Sequence, residues 1–306
     1  MRNKFLQDRT AAEIDKQVAK ILRGLGNPKP PLRLEEVRDL LKLDKQFYSS
    51  TDDGVLREVI HDLKVAGKQI LQRPTLLLDV IKTFDLKALF LPDRKRILID
   101  RDQPEIKWRW NEAHEITHSI VPWHEELALG DDKFTLTPSC YEQLEAEANY
   151  GAGRLLFIRD IFDEMARETE PTMEQIKRLS RLFGNTITNT LWRYVERSDE
   201  LVFGVVSPHP HYLPAAFDPT NPCKYFIRSR SFAIRFADIT EKVLFEAIRS
   251  YCTWTKKGPL GSGEIILRDA DRRPHTFLSE SFSNSYEVLT LGVYRGLLPS
   301  RVVSLR

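Results

Sequence analysis

Ile14, Val18, Ile21 and Leu25 recur at three- and four-residue intervals, and the run stops at Gly24, Gly26 and the prolines between 28 and 31. Thr10 and Glu13 have the spacing of a capping box at its start, so the pattern predicts an N-terminal helix. Apolar residues at helical intervals between charges predict further helices over about 34–43, 55–72 and 75–83. Two short β-rich runs follow, 88–91 and 96–100, joined by Pro92, Asp93 and Arg94, which reads as a hairpin. A helix over about 104–120 comes next, with Pro104 tolerated in its first turn and Pro122 beyond its end. Residues 124–138 are polar loop. Ser139 and Glu142 form a second capping box, opening a helix that continues through Ala148 and Leu155 toward Phe162.

Beyond Pro171, Met173, Ile176, Leu179 and Phe183 share a helical face up to Gly184 and Asn185, and a second helix follows over 186–195. This pair has the outline of a helix-turn-helix. Its Lys177, Arg178 and Arg181 are ordinary solvated-face charges, so the expectation is that it packs onto the core before it. From Leu201 onward the texture changes to β-rich runs at 201–206, 225–236, 264–267 and 286–293, with one helix over 241–251. The expected architecture is α+β: a mostly helical domain with a small sheet over 1–199, and a β-rich α+β domain over 200–306.

Composition narrows the class. The 306 residues are 42% hydrophobic and 29% charged, enough for one large or two ordinary cores, and no run approaches a membrane span. The start, Met1-Arg2-Asn3-Lys4, leads into a charged amphipathic segment instead of an apolar signal core, so a cytoplasmic protein is expected. Three cysteines (Cys140, Cys223 and Cys252) make no CxxC pair, which fits a reducing compartment and excludes a cysteine-based structural zinc site. The net charge is +2; residues 201–306 hold fourteen Lys and Arg against nine Asp and Glu, a mild bias and not a nucleic-acid footprint.

The chemistry is concentrated in His114-Glu115-Ile116-Thr117-His118. On a helix, residues four apart lie one turn apart on one face, so both imidazoles reach a single ion while Glu115 stands beside them as a general base for water. A tetrahedral catalytic zinc needs a third protein ligand and one open position. His124, six residues after His118, mimics the metzincin pattern, although Val121 stands where that pattern has its turning glycine. Glu145, on the next helix and on one face with Asn149, is the other candidate, with Glu147 pointing elsewhere.

Residues 109–118, Arg-Trp-Asn-Glu-Ala-His-Glu-Ile-Thr-His, resemble the R-F-x-x-A-H-E-L-G-H stretch of the ImmA/IrrE family of metallopeptidases, and residues 145–156 are similar to its E-x-E-A-N-x-F-A-x-x-L-L segment. The resemblance spans roughly residues 85–160. It implies a zincin-like peptidase domain with one Zn2+ per chain, ligands His114, His118 and Glu145, and Glu115 as base. Thr117 departs from the family's glycine, Gly151 from its phenylalanine, and Ile158 stands where a proline often follows. Family members commonly cleave a helix-turn-helix repressor, and some carry a GAF-like sensor domain after the peptidase. The resemblance thus implies a regulated zinc endopeptidase acting on such a repressor in a stress, DNA-damage or defence response.

Other residues bear on substrate and control. His124, Tyr150 and Arg109 are candidates for stabilising an oxyanion, each more readily explained as structural, and the strand 96–100 is a candidate to receive an extended substrate at an open edge. Cys140, near the start of the second motif helix, is a candidate inhibitory fourth ligand. The run from Lys224 to Phe232 mixes basic and aromatic residues, and Arg228 and Arg230 are candidate contacts for single-stranded DNA as an activator; the plainer reading is a strand with its aromatics inward. The alternative function is a DNA-binding or ligand-sensing regulator whose zinc site is non-catalytic.

Overall fold

The computed structural model describes residues 2–48, 88–91, 95–124 and 138–298, and the expected helices over 55–72 and 75–83 lie outside them. The chain forms two compact units. One holds residues 6–161 and 183–185; the other gathers residues 2–5, 162–182 and everything from 186 onward. The architecture is α+β, as expected, with a small mixed sheet in the first unit and a larger antiparallel sheet in the second.

In the first unit, α1 (Asp8–Gly24) and α2 (Leu34–Leu41) precede β1 (Asp44–Tyr48), β2 (Ala88–Leu91) and β3 (Arg96–Asp100). α1 begins two residues before Thr10, and its N-cap Gln7 makes no side-chain cap, so the expected capping box is not formed. β2 and β3 pair antiparallel as the hairpin expected, but β1 pairs parallel on the other side of β3. β3 is therefore the central strand. Ile97, Leu98 and Ile99 are fully buried, and β3 has no edge to offer a substrate; the expectation of strand addition there is wrong. The edges of the sheet, among the described residues, are β1 and β2.

The motif helix α3 (Glu105–Ile120) packs on β2 and β3 and against α4 (Pro138–Leu156), which also meets α1. Glu112, buried on α3, accepts from Arg38 Nε of α2 at 2.6 Å and from Lys45 Nζ of β1 at 2.9 Å, pinning the helix to both elements. The crossing of α3 and α4 explains two departures from the family pattern together. A Cβ added at Gly151 would lie 2.3 Å from Thr117 Cγ2 and 3.1 Å from Ile14 Cγ2. The bulk at position 117 and the lack of it at position 151 are one exchange across a helix contact, and packing stays close.

α4 was expected to run on toward Phe162, and it stops at Leu156. The Ile158 N–H bonds to Leu155 O at 3.0 Å and the Arg159 N–H to Arg154 O at 2.9 Å, the two bonds of a Schellman motif. Ile158 and Arg159 both have positive φ, 51° and 48°, where glycine is the usual occupant. α5 (Asp160–Arg167) follows directly.

In the second unit the sheet order is β5-β4-β8-β7-β6, with β4 (Val202–Ser207), β5 (Tyr225–Arg228), β6 (Gly258–Arg268), β7 (Pro274–Ser283) and β8 (Val288–Leu297). One face is covered by α8 (Arg230–Arg235) and α9 (Glu241–Tyr251), around Phe203, Phe226, Phe232, Phe236, Phe245 and Phe277. The other face carries α6 (Met173–Phe183) and α7 (Ile187–Arg197): Leu191 and Val195 of α7 lie over Gly204, and the Met173 N–H donates to Glu280 of β7 at 2.9 Å. The pair that resembles a helix-turn-helix thus packs mainly on this sheet, and only its turn belongs to the preceding core, where the Phe183 ring lies 5.8 Å from that of Phe157. The expected strand 225–236 is in fact strand, then helix, with Ser229 between them capping α8 by accepting the Phe232 N–H. The start of the chain joins this unit: Arg2 pairs with Glu241 at 2.8 Å, and Asn3 brackets the Arg228 backbone with two bonds of 3.0 Å.

The Thr117–Gly151 contact is testable by a double-mutant cycle. Gly151→Ala alone is expected to destabilise the protein by about 1–3 kcal/mol through overpacking, and Thr117→Gly in the same chain to recover most of the loss. Additive effects in urea unfolding would show that the two positions do not constrain each other.

Candidate metal centre

α3 and α4 bring three donors to one point. His114 Nε2 lies 3.2 Å from His118 Nε2 and 3.2 Å from Glu145 Oε2, and His118 Nε2 lies 3.7 Å from Glu145 Oε1. An ion bound tetrahedrally at about 2.0–2.1 Å sets its ligand atoms about 3.3 Å apart, so the His114–His118 and His114–Glu145 separations match such an ion, while His118 faces the other oxygen of the same carboxylate. Among the described residues this is the group of His, Cys, Asp and Glu that can hold a metal. The i, i+4 spacing on α3 supplies the two imidazoles, and the Thr117–Gly151 contact sets how near α4 brings the carboxylate.

The electrostatics follow from burial and pairing. Burial favours neutral His118 and pushes its pKa down to about 4, helped by the neighbouring His114 and His124. Burial acts the same way on His114, but the hydrogen bond to Glu145 and the charges of Glu115 and Glu145 outweigh it, and the net shift is upward. For Glu145 burial favours the neutral acid, yet the bonds from both histidines prevail and hold its pKa well below the usual carboxylate range. Glu115 is the opposite case: it is 5% exposed, and burial raises its pKa to about 7. Its carboxylate accepts the backbone N–H of Phe90 on β2, which ties the candidate base to the edge strand.

His124, the rival third ligand, does not reach the converging donors. The chain turns beyond α3 without a glycine and places His124 Nδ1 2.9 Å from the far nitrogen of His118, while its Nε2 meets Glu147 at 2.9 Å. Tyr150 and Arg109 are also turned away: the Tyr150 hydroxyl donates to Asp15 at 3.2 Å and Arg109 Nε to Asn185 at 3.3 Å. Cys140 lies in the first turn of α4, and its side chain is outside the described residues. In the other unit, Arg228 is half-buried against Phe226 with its pKa lowered by burial, while Arg230 is exposed over the Phe5 ring.

The sequence reading missed Glu147, Trp123, Gln143 and the Phe90 amide as parts of the site. Asn149 was placed on the Glu145 face, and the structure gives it a partner, His114 Nδ1 at 3.1 Å. Trp123, one residue before His124 and able only to donate, was the available signal that a buried acceptor waits nearby.

Residues 75–189 match the IrrE N-terminal-like domain of the peptidase M78 family, so the resemblance to ImmA/IrrE metallopeptidases is borne out. The match marks this stretch as a metallopeptidase-family domain. The chain is also similar to a Mycobacterium tuberculosis transcriptional regulator of solved structure, with 13% sequence identity, a TM-score of 0.51, and coverage of 94% of this chain and 90% of that one. At that identity the likeness is one of fold. No curated protein sequence matches the chain. No helix among the described residues is long and apolar enough to cross a membrane.

One divalent metal ion per chain is the expected stoichiometry, measured by elemental analysis after dialysis. Glu145→Ala is expected to reduce it to a small fraction of one ion, because two imidazoles alone leave half of a tetrahedral set. A Glu145→Ala chain that retains a full ion would move the third ligand elsewhere.

Proposed function

We propose that the chain is a zinc-dependent endopeptidase of regulatory type, whose substrate is a helix-turn-helix transcriptional repressor. The observation that carries the peptidase reading is the position of Glu115, a buried carboxylate next in sequence to a ligand and beside three convergent donors. Two imidazoles and one carboxylate suit zinc and leave a fourth position open, which a purely structural site would fill with protein. When bound there, zinc supplies Lewis-acid polarisation of a peptide carbonyl and lowers the pKa of a water toward about 7.

The chain's own residues perform the rest. Glu115, with its pKa near 7, takes a proton from water as the water oxygen bonds to the peptide carbon. It returns that proton to the amide nitrogen as the C–N bond breaks, and the second water proton passes from the new carboxyl group to the amine, so the products are a carboxylate and an ammonium. Among the described residues β2 is one of the two edge strands of the small sheet, and its Phe90 amide holds Glu115, which makes this edge, in place of β3, the candidate track for an extended substrate. A strand laid there would run its backbone past the base in a fixed register. The repressor as substrate is supported by the family resemblance and by the regulator whose fold this chain shares.

The test is co-expression with small helix-turn-helix repressors, first among them any that is encoded beside this gene. The wild-type chain is expected to cut one of them at a defined site, and Glu115→Gln to slow the cut by a factor of about 100 or more while keeping one metal per chain. Equal cleavage by Glu115→Gln would remove Glu115 from the mechanism. A repressor left whole by the zinc-loaded wild type would exclude it as the substrate.

A further inference from the structure

Behind the three donors, His118 is held from its far edge. His124 Nδ1 lies 2.9 Å from His118 Nδ1, and His124 Nε2 lies 2.9 Å from Glu147 Oε2. His124 is 2% exposed and Glu147 5%, so water does not compete for these atoms. Glu147 is surrounded by donors: Trp123 Nε1–H reaches Oε2 at 2.6 Å and Gln143 Nε2–H reaches Oε1 at 2.7 Å.

With His124 neutral, the proton inventory of this chain has one consistent solution. Two nitrogens facing each other share one proton, since two protons repel and none leaves two lone pairs opposed. Glu147 is placed as an acceptor, so His124 carries its proton on Nε2 and gives that hydrogen bond to the carboxylate. A neutral His124 protonated there has a bare Nδ1. His118 must then donate through its own Nδ1, which leaves its Nε2 bare and aimed at His114 and Glu145.

We propose that His124 and Glu147 are positioning residues that form a carboxylate–imidazole–imidazole relay fixing the tautomer and ring plane of His118 for metal binding. A carboxylate held directly against a ligand histidine is a common device; here a second imidazole is interposed. His114 is anchored more simply, by Asn149 Oδ1 at 3.1 Å. All the carboxylate and amide oxygens come from α4: Glu145 meets both ligand nitrogens, Asn149 holds His114 directly, and Glu147 holds His118 through His124. One helix therefore grips His118 on both edges of its ring. The relay rests on the metal-centre reading.

Three measurements on the full chain test it, using zinc and cobalt(II) as probes. In metal-free wild type, long-range proton–nitrogen correlation is expected to find His118 protonated on Nδ1; a His118 protonated on Nε2 overturns the relay whatever any variant does. His124→Ala and Glu147→Gln are each expected to weaken zinc binding about 10–100-fold against a competing chelator and to change the visible spectrum of the cobalt-loaded protein. His124→Gln keeps an acceptor toward His118 and a donor toward Glu147, and is expected to recover most of the affinity. Zinc affinity within twofold of wild type and an unaltered cobalt spectrum in folded His124→Ala overturn the relay while leaving the metal centre intact. If His124→Ala does not fold, the same two readings in His124→Gln and Glu147→Gln decide, equal losses in both counting against the relay. A wild-type chain that takes up no zinc overturns the metal centre and the relay with it.

Discussion

The approach of α4 to α3 governs everything the site can do. A carboxylate on one helix reaches two imidazoles on another only if the helix backbones come close, and the side chains at the crossing decide how close. Thr117 and Gly151 meet at that point, with no room for even one more carbon between them. From this contact follow the placement of Glu145, the reach of Asn149 to His114, and the burial that raises the pKa of Glu115. Glu112, bonded to Arg38 and Lys45, holds the other flank of α3. Removing that buried carboxylate would leave two cations in a half-buried setting without their partner.

The candidate metal centre also shows how polar atoms are tolerated inside this unit. His118, His124 and Glu147 form a line of buried nitrogen and oxygen atoms in which each has a partner, and Trp123 and Gln143 complete the carboxylate. Such a network is favourable only when complete, because every atom left without a partner in a low-dielectric setting loses its hydration for nothing. The same arithmetic applies to Arg154, a buried side chain bonded to Asp15 of α1 and Asp160 of α5.

Much of this was legible in the chain. Residues four apart on a helix share a face whatever surrounds them, so His114 and His118 follow from spacing alone, and the α9 boundaries come from Thr240 and the period of Leu244, Phe245 and Ile248. Other features left no local trace. α4 ends in a left-handed pair made by Ile158 and Arg159, neither of which announces a stop. β7, near the middle of the large sheet, was missed because its buried positions include Ser279, Ser281 and Ser283, which hide the alternation. They are small for a reason: Ser279 pairs with Gly263 and Gly292, across which the Tyr251 and Phe203 rings lie. α8 was read as strand because Phe232, Ile234 and Phe236 also suit a strand; Ser229 as its cap was the discriminating residue. Nor does a helical period say which sheet a helix covers, and α6 and α7 turned to the one after them.

The pairing of Arg2 and Asn3 with Glu241 and Arg228 bears on how the chain is made. These partners stand 239 and 225 positions apart, so Arg2 and Asn3 wait for more than two hundred further residues to be made before they find their places. The sheet-bearing unit is discontinuous, with residues 6–161 spliced into it between its first segment and the rest. The spliced unit has nearly all of its sequence available early and can fold while synthesis continues; the sheet-bearing unit closes last. Cutting after residue 161 would leave residues 1–5 attached to a body they do not belong to, so a clean separation of the two requires trimming on both sides.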